Sequence, residues 1–319
     1  MDEELEKLLQ EPAEETETTA EALPTKSAPR GFVMSKATYY ALLVIFAGVF
    51  ILSGIYLFGY FSETGSAEND YNQLESLYQQ NTQATTPTVS GNVQSSQPTE
   101  TQPPTIHPSL QPIHALNDDV IGWLNMSDIK ISYPVVQCWE DEDFYLSRDF
   151  YGKENIAGCP YIPWSCDAFK PSDNLIIYGH NLRSGGMFRN LTKYDEKSYW
   201  EQHPTFTFQS LYGEPQTYRI FAVFKTAGRS FTEDGNPWGY PYHTMSNFDN
   251  EEEFNQFIAN VKGAAFQGKN AYKGASFYDT GITPVYGDKL ICLSTCEYTI
   301  RDPDGSFNGR LVVMAVRED

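Results

Sequence analysis

Apolar and polar positions fall into three regimes along this chain. Residues 37–61 read ATYYALLVIFAGVFILSGIYLFGYF, a run with no charged residue and no polar face. As a helix it measures about 37 Å at ~1.5 Å per residue, enough to cross a hydrocarbon core of ~30 Å. Tyr39, Tyr40, Tyr56 and Tyr60 lie near its ends, where an interfacial aromatic belt would place them. Residues 1–36 are polar and largely acidic, without an apolar period, and read as a disordered tail. Residues 62–106 are rich in Thr, Gln, Ser, Asn and Pro and read as a flexible linker. Such a tether spans roughly 37 Å root-mean-square, from ~5.5 Å × √n.

From residue 107 to 319 the pattern changes to short apolar runs separated by Gly, Pro, Asp and Asn. Ile113–Trp123 reads as a short helix and turn. Strands are predicted at Ile131–Val136, Asn174–Tyr178, Thr205–Gln209, Gln216–Thr226, Lys289–Ser294 and Arg310–Val316, all rich in Val, Ile, Tyr, Phe and Thr. Many short strands without alternating long helices indicate a barrel or sandwich. One helix interrupts them. Asn250 is placed to cap it, Glu253 completes a capping box, and Phe254, Phe257, Ile258 and Val261 form one apolar stripe.

Charge narrows the partners. Asp and Glu number 42 against 22 Lys and Arg, for a net charge of −20. A polyanionic surface repels phosphates, so nucleic acid is excluded as a partner. Lys26, Arg30 and Lys36 precede the apolar segment, and no Lys or Arg follows it until Lys130. The positive-inside rule then puts the N-terminus in the cytoplasm and the domain outside, with residues 37–61 in contact with membrane lipid. Five cysteines (138, 159, 166, 292 and 296) leave at least one unpaired within the chain, and the spacing allows a Cys159–Cys166 bridge.

Three strings can carry chemistry. In KLICLSTCEY, an apolar strand ends at Cys296, where a thiol is both exposed and braced. A small buried hydrophobe is an equally good reading of that string alone. Cys292, further into the apolar run, reads as core. In NLIIYGHN, a strand ends in Gly179-His180-Asn181, which presents an imidazole suited to proton transfer. A turn histidine bonded to backbone is the alternative. His107, His114, His203 and His243 follow no such strand. In NGRLVVMAVR, Arg310 opens the last strand and can donate to a developing oxyanion, although alone it reads better as an edge-strand charge.

Taken together and in this order, the strings resemble those of sortases, class B sortases in particular, over nearly all of residues 110–317. DDVIGWLNMSDIKISYPVVQ followed by FYLSRDFYGK is similar to that class's N-terminal portion. NLIIYGHNLRSGGMFRNLTKY is similar to its histidine motif, and LSTCEY and GRLVV to its cysteine and arginine motifs. The resemblance implies a mostly β fold, a closed eight-stranded barrel with added helices. It also implies a transpeptidase with Cys296 as nucleophile, His180 as general acid and base, and Arg310 as oxyanion or substrate-positioning group. The implied partners are secreted proteins with a Pro-containing C-terminal sorting signal and an amine of a cell-wall peptide. The segment 247–283 falls where the class has its long substrate-lining loop.

Two positions depart from the pattern. Tyr298 stands where some members carry Asp, so no fourth catalytic residue is assigned. The stretch between Cys296 and Arg310 is long, which keeps Arg301 as an alternative arginine. No acidic cluster matches the calcium site of class A members, so neither metal nor cofactor is expected. Two rival readings remain: another extracellular thiol peptidase acting on cell-wall peptides, or a stalked, non-enzymatic surface domain. Against the first, NlpC/P60-type hydrolases place Cys before His, and L,D-transpeptidases carry a Ser-His-Gly-Cys motif that is absent here.

Overall fold

The computed structural model describes residues 35–84, 105–170, 172–228, 240, 242–264, 280–301 and 307–318. The chain divides into two compact units, residues 1–54 and 55–319. In the first, the start of helix α1 (Lys36–Ala84) leaves its apolar side chains exposed, Phe46 at 70% and Phe50 at 80%. Among the described residues, α1 is the one helix long and apolar enough to cross a membrane.

In the second unit, α1 continues through Ala84 and corrects the expectation of a flexible linker from residue 62. Ala67, Tyr71, Leu74 and Tyr78 are all buried at helical spacing, so a narrow apolar stripe runs through otherwise polar sequence. Full burial of one such side chain, Leu74, stabilises by about 1.5–3 kcal/mol. Tyr78 stacks on Trp123 with ring centroids 4.4 Å apart, and its hydroxyl donates to Gln209 Oε1 at 2.8 Å. Residues 85–104 of the expected linker, and the tail before residue 35, lie outside the described residues.

After the four-residue helix α2 (Gln111–His114), seven strands build one sheet: β1 (Val120–Met126), β2 (Ile131–Val136), β3 (Asn174–Tyr178), β4 (Thr205–Ser210), β5 (Gln216–Ala227), β6 (Leu290–Arg301) and β7 (Phe307–Arg317). Helix α3 (Lys197–Gln202) precedes β4, and α4 (Glu251–Ala259) lies between β5 and β6. The strand order is β2-β1-β4-β5-β7-β6-β3. Every pairing is antiparallel except β3 with β6.

The expected eight strands are therefore seven among the described residues. Where an eighth would join β2 to β3 there is a single residue, Tyr161, bridging Val136 on one side and Tyr178 on the other. Pro160 and Pro163 flank this short stretch and, lacking N–H donors, limit how far a strand can extend there. The reading of Ile113–Trp123 as a short helix and turn holds to Asp119, where α2 and the turns after it lie, and β1 corrects it from Val120 on. Its residues are buried on both faces: Ile121, Leu124 and Met126 join the large core, while Val120 and Trp123 pack in a second cluster with Tyr71, Leu74 and Tyr78 of α1.

α4 forms as its sequence indicates. Asn250 Oδ1 accepts the Glu253 N–H at 3.0 Å, and Phe254, Phe257, Ile258 and Val261 are buried. Glu253 reaches the Asp249 N–H rather than that of Asn250.

Candidate active site

Strand order explains how distant residues meet. β3 and β6 run parallel with Tyr178 opposite Ser294, so Gly179-His180, just past the end of β3, lie beside Thr295-Cys296, where β6 continues to Arg301 beyond the end expected at Ser294. β7 runs antiparallel to β6 and places Arg310 opposite Cys296. The junction is held by hydrogen bonds. The Gly179 N–H donates to Ser294 O at 3.1 Å, and Thr295 Oγ1 donates to Gly179 O at 2.7 Å. Asn181 Nδ2 donates to Cys296 O at 2.7 Å, while Tyr298 OH donates to Asn181 O at 3.1 Å. A Cβ at Gly179 would lie 2.6 Å from the Phe188 ring, so the backbone before the histidine can be this close only as glycine.

Cys296, His180 and Arg310 line one cleft of about 450 Å³. His180 Nε2 meets Leu146 O at 2.6 Å. A carbonyl only accepts, so Nε2 carries the hydrogen and Nδ1 is the basic nitrogen of the neutral ring. Arg310 Nη1 donates to Gly309 O at 2.9 Å. Arg301, the alternative arginine, ends β6 with its side chain outside the described residues.

Cys296 is half-buried, whereas the other four cysteines are buried and all five are free, so Cys159 and Cys166 form no bridge. Burial pushes the Cys166 thiol up to about 11 and Cys159 to about 12, and raises Cys292 as well. Those three are held as thiols at neutral pH. Cys292 is fully buried in the core, in agreement with its sequence reading.

The cleft also contains residues that sequence reading passed over. Glu142 and Asp143 line one side. Glu142 Oε1 accepts the Trp164 N–H at 2.7 Å, and Asp143 Oδ1 accepts Tyr161 OH at 3.1 Å. Tyr242 and His243 line the cleft as well, with Tyr242 OH 2.7 Å from Ser294 Oγ. Their run, YPYHT, carries no strand pattern, and only the fold brings it near Arg310. Among the described residues of 247–283, none lines the cleft, and residues 265–279 lie outside the description.

Burial, and then the Arg310 charge, lower the His243 pKa from 6.5. A depressed histidine means the unfolded chain binds the proton more readily. The associated stability is fully present above about 6.5 and is lost as pH falls through the lower folded value. The thermal midpoint of the wild type is therefore expected to fall more between pH 7 and pH 5 than that of His243→Gln. Parallel curves would show that His243 does not titrate this way.

No family model matches the chain. In solved structures the fold is similar to that of the Staphylococcus aureus sortase B–substrate complex, with TM-score 0.61 and 21% identity, covering 81% of this chain and 99% of that one. Sortase B from Bacillus anthracis in complex with AAEK1 superposes with TM-score 0.58 at 23% identity, covering 81% and 98%. The architecture is thus a sortase-type β fold. The curated sortase B of Listeria monocytogenes is 28% identical over 273 residues, 86% of this chain and 94% of the relative. That of Staphylococcus aureus is 26% identical over 210 residues, 66% and 75% respectively. The two curated relatives support a class B sortase, and at the family level a cysteine transpeptidase.

Proposed function

We propose that this chain is a membrane-anchored transpeptidase that cleaves a Pro-containing C-terminal sorting signal and transfers the protein to an amine of a cell-wall peptide. The observation that carries the reading is the meeting of Cys296, His180 and Arg310 in one cleft, on or just after three neighbouring strands. Cys296 gives its proton to Nδ1 of His180 and attacks the scissile carbonyl, and Arg310 donates to the oxygen as it becomes negative. His180 protonates the departing amine, leaving a thioester. An incoming amine then attacks the thioester, and His180 takes its proton and returns it to the departing sulfur, which regenerates the thiol. With Nε2–H committed to Leu146 O, Nδ1 is the nitrogen free to exchange the proton. The uncharged segment 37–61 supplies the single-pass anchor, and the Lys/Arg asymmetry around it puts the N-terminus in the cytoplasm and the domain outside.

The test offers Pro-containing signal peptides to the full chain in detergent, with and without an added peptide amine, and follows both products by mass spectrometry. A covalent acyl adduct on the enzyme, and partition from hydrolysis to transfer as amine is added, is the expected result. Hydrolysis indifferent to amine would make the protein a peptidase instead. No adduct and no cleavage across the peptide set would remove the enzymatic reading.

A further inference from the structure

The Nε2–Cδ2 edge of the His180 imidazole abuts two backbone groups, and one of them is tied to α1. Gly158 has φ +61°, and a Cβ there would lie 2.8 Å from Tyr145 O, 3.0 Å from His180 Cδ2 and 3.1 Å from Leu146 O. The backbone of Gly158 is therefore in close contact with both the ring and the carbonyl that takes the ring's hydrogen. Leu146 is held through its N–H, which donates to Asp143 O at 2.9 Å, and through its neighbour Tyr145. Tyr145 O accepts the Cys159 N–H at 3.0 Å, and Tyr145 OH donates to Asp119 Oδ2 at 2.8 Å while receiving Asn117 Nδ2 at 2.8 Å. The Gly158 carbonyl is held by Tyr71, whose buried hydroxyl donates to it at 2.6 Å. Tyr71 lies on the part of α1 that belongs to the same compact unit as the sheet.

We propose that Tyr71 is a positioning residue for His180, acting through Gly158 to hold the imidazole against Leu146 O in its Nε2–H form. Tyr71 touches no reacting atom. Its hydroxyl fixes the Gly158 backbone against the ring at Cδ2, next to the Leu146 carbonyl that takes the Nε2 hydrogen. The orientation and tautomer of a catalytic histidine are set by such partners. A small misplacement of a catalytic group is enough to cost one to two orders of magnitude in rate.

Tyr78 supplies the control. It lies on the same stripe of α1, is also buried, and also donates one hydrogen bond, but to Gln209 rather than toward the histidine. The inference rests on the proposed transpeptidase reading only for its kinetic arm. In the full chain, Tyr71→Phe is expected to lower kcat roughly tenfold with KM changed less than twofold, and to shift the pH–rate profile. Histidine-selective nitrogen-15 NMR reads the tautomer directly. The wild type is expected to show His180 protonated at Nε2, and Tyr71→Phe to show a mixture of tautomers. Tyr78→Phe is expected to lower the thermal midpoint similarly while leaving kcat and the His180 signals unchanged. If Tyr71→Phe and Tyr78→Phe behave alike in both readouts, Tyr71 only docks the helix and the proposal fails. If the wild-type His180 is protonated at Nδ1, the proposal fails whether or not the variant folds. A wild type that turns over no peptide would count against the transpeptidase reading, and the NMR comparison would still decide the role of Tyr71.

Discussion

Cys296→Ala is expected to abolish both acyl-enzyme formation and product release, with the fold intact. Deleting a nucleophile that works as a unit with its base costs on the order of 10⁶ in kcat. No other thiol in the chain is placed to substitute. Cys292 lies on the same face of β6 but is fully buried, with its pKa driven far up. Cys159 borders the cleft, yet it is buried, faces Pro134 O, and is pushed up to about 12. Trimming a half-buried cysteine to alanine away from the core leaves stability within about 1 kcal/mol, so the thermal midpoint separates lost chemistry from lost folding. Cleavage of a sorting-signal peptide by Cys296→Ala at near wild-type rate would exclude Cys296 as the nucleophile, and a large drop in midpoint would make it structural.

The ends of apolar runs carried the legible part of the site, although β6 and β7 extend beyond them as strand. His180, Cys296 and Arg310 each terminate or begin an apolar run, and β2 and β3 begin and end where their patterns do. Parallel β3 beside β6, with β7 on the other edge of β6, then brings the three residues into one cleft. What the pattern hid has a common physical cause, burial by distant partners. β1 is apolar on both faces because α1 covers one side and the main core the other, so it shows no alternation and follows Asn and Asp turn residues. Residues 62–84 are mostly polar, and only the register of Ala67, Tyr71, Leu74 and Tyr78 marks them as a docked helix. Glu142, Asp143, Tyr242 and His243 reach the cleft from loops, where no local periodicity reports position.

Arg310→Lys is expected to cost about 10²–10³ in kcat, the scale of losing a preorganised oxyanion donor. The guanidinium is fitted to its place. One Nη1 hydrogen is used on Gly309 O, and Gly228 lies so close that a Cβ there would be 3.1 Å from Arg310 Cζ. The remaining N–H groups form a planar fork that can donate into the cleft. Lysine keeps the charge on a flexible stem but loses the fork, so one ammonium cannot both replace the Gly309 bond and meet the oxyanion in fixed geometry. The charge has a separate readout, because Arg310 also lowers the pKa of His243. Arg310→Lys should therefore preserve the acid loss of stability assigned to His243, while Arg310→Ala should weaken it. Both variants should be slow. If lysine instead restored more than about a tenth of wild-type kcat, charge alone would account for the residue. The oxyanion role would then pass to other donors at the cleft.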